Sequence, residues 1–268
     1  MKEKTRSRIA SGLDRARLLA PAERLRDRWL ATRAEPGPAI GPDGLPLPPP
    51  RLRQLVSGRS ADAEYFIRIG EAMNASIRGA AARAGSPVEG MGAILDFGCG
   101  SGRVARHWAG LEGPEIHGCD YNEELVGWCA ANLPFMRVAR NELEPPAPYD
   151  DESFDLVYAL SVLSHLSEPL GERWVAEYRR LLRPGGLLVV SVLGEQATHR
   201  LTAEERERFD RGELVVERPR MEGRNSCTAY HPDAYVGGSL LAGFAEVTSF
   251  DLGWPELPVM QDAYLARR

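Results

Sequence analysis

Gly98, Gly100 and Gly102 alternate with Cys99 and Ser101, and Asp96 stands two positions ahead of the first glycine. Glycine permits positive φ and lets a ligand approach bare backbone. A glycine turn between a strand and a helix also aims free N–H groups at whatever lies over the helix start. Further along, Asp120 closes the run Glu115-Ile116-His117-Gly118-Cys119. A carboxylate ending the next strand can accept two hydrogen bonds from a ribose diol, with Tyr121 or Asn122 beside the ribose and base. The chemistry such residues serve is the holding of a nucleoside. The spacing is not that of the dinucleotide fingerprint G-x-G-x-x-G, because Arg103 occupies the third glycine's place.

A second set could act on whatever the nucleoside carries. Ser161 and His165 lie in Ser161-Val162-Leu163-Ser164-His165-Leu166, which follows an apolar run. Histidine can serve as a general base near neutral pH, or can hydrogen-bond to shape the loop. His199, Tyr230, His231 and Gln261 are further candidates, and His231 before Pro232 also reads as a turn residue. Asp62, Tyr65 and Phe66 could face the ligand; Phe66 equally suits a core.

The elements that must position these residues follow from periodicity. Short apolar runs at 93–97, 115–119, 136–139, 154–159 and 187–193 alternate with helical stretches at 60–85, 102–111, 122–132 and 168–182. That alternation predicts a mainly parallel sheet covered on both faces. Pro184-Gly185-Gly186 marks the end of the last of these helices. Residues 194–238 interrupt the pattern: Thr202 and Glu205 form a capping-box start, and 214–216 and 227–230 read as short strands. The first part of this insertion is read as a lid over the cleft. A helix from Pro232-Asp233 to near Gly243 and strands at 246–250 and 260–266 complete the chain.

Composition narrows the classes. The 268 residues, 26% of them charged, are those of a globular protein with a full core. A net charge of -5 gives no global attraction to nucleic acid, and no basic-aromatic platform is present. Cys99, Cys119, Cys129 and Cys227 form no C-x-x-C pair, so zinc and redox motifs are not expected, and the sequence shows no other metal constellation. The charged start lacks a signal-peptide core, and the run 187–193 is far too short to span a bilayer, so a cytoplasmic location is expected. Residues 1–33 are basic with helical spacing and read as a peripheral helix, or as one docking on a membrane or a partner. The prolines of 34–50 read as an extended linker without a core.

Ile94-Leu95-Asp96-Phe97-Gly98-Cys99-Gly100-Ser101-Gly102 resembles motif I of the class I S-adenosylmethionine-dependent methyltransferases. Pro148-Tyr149-Asp150-Asp151-Glu152-Ser153-Phe154-Asp155 resembles the family's approach to strand four, and 177–186 its helix and turn before strand five. The resemblance covers residues 92–193 in the right order. It implies an α/β, Rossmann-like, doubly wound seven-stranded sheet with an antiparallel last strand. To this are added an N-terminal helical extension (1–59) and, within a domain spanning 60–268, the lid insertion. It implies S-adenosyl-L-methionine as cofactor, held by Asp96, Gly98, Cys99, Gly100, Gly102, Asp120, Tyr121, Asn141, Glu142 and Ser161; His165, from its place in the loop after strand four, stays the candidate base. Asn141 stands where the family often has an Asp that meets the adenine amine; an amide oxygen can still accept that bond. The expected acceptor is a small molecule such as a sugar or secondary metabolite, with protein acceptors next. A non-catalytic cofactor-binding or scaffold protein and a nicotinamide oxidoreductase are the competing readings.

Overall fold

A computed structural model describes residues 39–57 and 61–268. The expected helix over 1–33 lies outside the described residues. The central sheet has seven strands in the order β3-β2-β1-β4-β5-β11-β8. They are β1 (Ala93–Phe97), β2 (Glu115–Asp120), β3 (Met136–Arg140), β4 (Phe154–Ala159), β5 (Leu182–Val192), β8 (Ala245–Phe250) and β11 (Asp262–Arg267). The first five pair in parallel, and β11 runs antiparallel to both β5 and β8. Every residue of β1 is buried, and so is almost all of β4 and of the apolar half of β5. Continuous apolar runs are what strands covered on both faces require.

Helices α1 (Pro50–Ser57), α2 (Ala63–Arg83), α3 (Glu123–Asn132) and α4 (Glu168–Leu181) surround the sheet, and α5 (Ala203–Asp210) lies in the insertion. One face buries Phe97 against Trp174 and Tyr178 of α4, with ring centroids 4.6 and 4.8 Å apart. The other buries Ile69, Met73 and Ile77 of α2 against Ile94 and Trp108. Asp62 caps α2 by accepting from the Tyr65 amide at 2.6 Å, and Phe66 is fully buried, so Phe66 is core.

Four expectations are corrected. The helix expected over 102–111 is only a 3-10 turn, Ala105–Trp108. Gly110 ends it at φ +81°, and the Arg106 side chain is drawn away to Asp43, with N–O distances of 2.6 and 2.9 Å. The helix expected to reach 182 stops at Leu181 and passes straight into β5, which takes Pro184-Gly185-Gly186 into its span. The helix expected over 232–243 is a single turn, Asp233–Tyr235, continued as π-helix over Val236–Leu240. The proline-rich stretch is not without a core: Leu47 packs with Phe66 and Ile67, and Arg106 donates to the Leu45 and Pro46 carbonyls. A two-stranded hairpin, β9 (Gly253–Trp254) with β10 (Leu257–Pro258), was not anticipated. Among the described residues no helix is long and apolar enough to cross a membrane.

Candidate active site

The glycine turn leaves the carboxyl end of β1 with φ of 73°, 57° and 74° at Gly98, Gly100 and Gly102. A Cβ at these positions would lie 2.5 Å from Val162, 2.7 Å from Val56 and 2.3 Å from Leu133 respectively. The turn is thus wedged between the loop after β4, the end of α1 and the end of α3. Only glycine satisfies both the backbone and the approach. The Cys119 carbonyl accepts the Gly98 and Cys99 amides at 2.8 and 3.0 Å, which locks the turn to β2. The Cys99 thiol packs beneath the turn near Gly118, and burial and Cys129 push it well above its ordinary pKa; its backbone alone can serve a ligand.

Asp120 faces the turn directly. Its Oδ2 accepts the Gly100 amide at 3.0 Å and its Oδ1 the Asn122 amide at 2.8 Å. Burial raises its pKa, while the Asn122, Gly100 and Tyr121 amides pull the other way. Asn141 is buried and gives its Nδ2 to the Glu142 carbonyl at 2.7 Å, while its Oδ1 is sealed without a partner. A buried acceptor left unpaired is expensive unless a ligand completes it. The adenine amine expected there would do so. Glu142 itself is exposed and contributes its carbonyl to that pairing.

Asp96 is 5% exposed. Burial pushes its carboxyl up to about 7; the Tyr158 hydroxyl and Arg103 lower it and the Asp120 charge raises it. Tyr158 in turn accepts from the Trp108 indole N–H at 2.9 Å.

Beyond β4, Ser161 is held at φ 59° in a closed ring of hydrogen bonds. Its amide donates to Ser191 Oγ at 2.9 Å, Ser191 donates to Gln261 Oε1 at 2.7 Å, and Gln261 Nε2 donates to Ser161 Oγ at 2.5 Å. His165 sits under the insertion. Its Nδ1–H donates to the Cys227 carbonyl at 2.8 Å and its own carbonyl accepts the Gly223 amide at 2.8 Å. Burial lowers its pKa, so the ring is neutral with its Nε2 lone pair unused by that bond.

Residues 222–227, in the second part of the insertion, make these contacts. Tyr121 donates to the Gly223 carbonyl, Glu222 accepts the Ser167 amide at 2.6 Å, and Asn225 donates to the Leu55 carbonyl of α1 at 3.1 Å. The first part of the insertion instead gathers Ala197, Phe209 and Val215 around Leu193 and Tyr230. So Tyr230 is core. His231 is buried away from this set, bonded to the Ala229 carbonyl at 3.2 Å, and burial lowers it to about 4. His199 is exposed and bonds only within its own turn, to the Gln196 carbonyl at 3.1 Å. Sequence reasoning missed Val56, Ser191 and Asn225, whose positions depend on distant chain contacts. An open cavity of about 870 Å³ lined by His117, Tyr149 and Arg183 lies at the opposite, amino ends of β1, β2 and β4, remote from this chemistry.

A parallel sheet closed by an antiparallel strand, with a glycine turn facing a carboxylate at the end of β2, defines a class I S-adenosylmethionine-dependent methyltransferase fold. Residues 95–190 match the family model described as "Methyltransferase domain". Over 110 residues it is 32% identical to a ubiquinone biosynthesis O-methyltransferase from Cereibacter sphaeroides, covering 40% of this chain and 43% of that one. Over 106 residues it is 33% identical to a sterol 24-C-methyltransferase from Gibberella zeae, covering 36% and 26%. The matches therefore span less than half the length of these relatives. A 1,6-didemethyltoxoflavin-N1-methyltransferase structure from Burkholderia thailandensis has a TM-score of 0.53 at 19% identity, covering 83% of this chain and 92% of that one. An S-adenosylmethionine-dependent methyltransferase from Mesorhizobium loti has a TM-score of 0.52 at 22% identity, covering 70% and 96%.

Proposed function

We propose that this protein transfers a methyl group from S-adenosylmethionine to an oxygen, nitrogen or carbon nucleophile of a small molecule, a sugar or secondary metabolite being the class preferred. The observation that carries the reading is the Asp120 carboxylate bonded to the Gly100 amide, with the unpaired Asn141 oxygen one strand over. Ribose, adenine amine and glycine-bound tail find matching groups in one row along the carboxyl ends of β1, β2 and β3. The relative named for O-methylation in ubiquinone biosynthesis favours a small acceptor.

When bound, the cofactor supplies a sulfonium-activated methyl group. The protein's tasks are then alignment, exclusion of water and, where the acceptor needs it, removal of a proton. The glycine turn, Asp120 and Asn141 fix the nucleoside. The 222–227 segment and α1 cover it, joined by Asn225 and the Leu55 carbonyl. His165 is assigned the base: the Cys227 carbonyl fixes its tautomer, leaving Nε2 to take a proton. Ser161 lines the methyl's side of the cleft. The buried free thiols accord with a reducing cytoplasm, where we place the protein.

The test is methyl transfer from isotope-labelled cofactor to a broad acceptor panel. Asp120→Ala should raise the KM for the cofactor at least about tenfold by weakening its binding. His165→Gln should lower kcat by about 100-fold with cofactor affinity unchanged. Binding of the cofactor without transfer to any acceptor would favour a non-catalytic role.

A further inference from the structure

The ring of hydrogen bonds beyond β4 fixes where its protons point. Ser191 is fully buried, so only the ring can satisfy its hydroxyl. Its oxygen accepts the Ser161 amide, and its proton goes to Gln261 Oε1. The reverse orientation of the Gln261 amide would strand the Ser191 proton in a dry site. Gln261 Nε2 therefore faces Ser161 Oγ, which accepts from it. One proton is left over, that of Ser161 itself. Among the described residues no group takes it, and Ser161 is half-buried where Ser191 is sealed. Ser161 also stands at φ 59°, which an L side chain rarely adopts, so the ring holds it where the backbone alone would not.

His165 stands four positions on, at the end of the 3-10 turn Leu163–His165 that the same loop makes. Its Nδ1 is committed to the Cys227 carbonyl, and its Nε2 keeps a lone pair. The loop at the carboxyl end of β4 thus has one proton to give and one place to receive a proton. A nucleophile meets both only if it accepts one hydrogen bond, gives another and still keeps a lone pair for the methyl. A hydroxyl oxygen, with two lone pairs and a proton, meets all three demands. A neutral amine has one lone pair, which the attack consumes, so the Ser161 proton stays unpaired. A carbon nucleophile offers that proton nothing at the reacting atom. A donor left unpaired in the cleft is what penalises the wrong atom.

We infer that the methyl-accepting atom is a hydroxyl oxygen, that Ser161 donates a hydrogen bond to it, and that Gln261 and Ser191 are positioning residues that aim the Ser161 proton into the cleft. The inference deepens the transferase reading above and rests on it. In the step, the hydroxyl proton passes to His165 Nε2, the oxygen bonds the methyl carbon, and the carbon–sulfur pair leaves on sulfur. The Ser161 hydrogen bond steadies the negative charge that gathers on the oxygen as its proton departs.

Matched acceptors test this: phenol with aniline, catechol with 1,2-diaminobenzene, and methyl glucoside with its 2-amino analogue. Each is assayed with isotope-labelled cofactor, the methylated atom is identified by NMR, and protein saturated with S-adenosylhomocysteine is titrated calorimetrically with the same pairs. The reacting hydroxyl should show a kcat/KM at least about 30-fold above its amine counterpart and tighter binding. Ser161→Gly removes the hydroxyl and suits the positive φ. Gln261→Glu keeps the shape of the ring but offers Ser161 an acceptor, which turns its proton away from the cleft. Both should lower kcat with the oxygen acceptor about tenfold and leave S-adenosylhomocysteine affinity within about twofold. The Gln261 variant keeps the test standing if glycine loosens the loop. Equal use of the amine, wild-type kcat in Gln261→Glu, or a loss confined to S-adenosylhomocysteine affinity in Ser161→Gly would overturn the inference. Binding of S-adenosylhomocysteine without transfer to any acceptor would instead overturn the transferase reading on which it depends.

Discussion

Asp96 carries the sharpest consequence at the scale of single residues. Its carboxyl titrates near 7 in the folded protein and near 3.8 when exposed, so the native state holds a proton that the unfolded chain releases between those values. Its contribution therefore destabilises the ligand-free protein as pH rises from about 4 to 7. Asp96→Asn should raise stability at pH 8 by on the order of 1–3 kcal/mol, measured by denaturant unfolding, while weakening cofactor binding. A cationic ligand group beside Asp96 favours its charged form. Cofactor affinity should then fall about tenfold per unit below pH 7 and stay level above it. A flat titration from pH 5.5 to 8 would show that Asp96 does not meet a cation. Asp43 acts in the opposite sense: burial raises it, but Arg106's hydrogen bond and charge outweigh that, and its stabilisation is lost as pH falls below about 4.

At the scale of elements, the glycine turn and the 222–227 segment make separate predictions. Gly98→Ala places a Cβ against Val162 at positive φ and should cost about 1–3 kcal/mol in unfolding free energy. Asn225→Ala cuts the tie from the covering segment to α1 and should speed product-cofactor release about three- to tenfold in stopped-flow, at little cost in stability. Much of this scale was legible. Asp96, the alternating glycines and Asp120 are close in sequence, and apolar runs mark the buried strands β1, β4 and β5. The turn after Gly102 was less so. Val104, Ala105 and Trp108 have a helix's apolar spacing, but Arg106 answers to Asp43, which is remote in the chain. The roof over Gly100 was not legible at all, because Val56 and Asn225 meet the site only through tertiary contacts.

Across the whole molecule, the stretch 39–57 behaves as a strap that the sheet domain requires. Asp43 and Arg106 join it to the turn after β1, and the Arg106 guanidinium lies over the Phe66 ring at 5.9 Å. Asp43→Ala strands a fully buried guanidinium and should cost about 2–3 kcal/mol, lowering Tm by several degrees. Proline content hid this role, since the same residues that prevent helix also suit an extended strap pinned at a few points. The mainly parallel character of the sheet needed no such distant information, because short apolar runs alternate with helical stretches along the chain.

The central claim is that the cleft over the glycine turn holds S-adenosylmethionine with its ribose on Asp120. Calorimetric titration of wild-type and Asp120→Ala protein with S-adenosylhomocysteine, after circular dichroism has shown both folded, tests it most directly. The account predicts one site per chain in wild-type protein and an affinity at least about tenfold weaker in the variant. Equal affinity in the two proteins, or no binding to wild type, would contradict it.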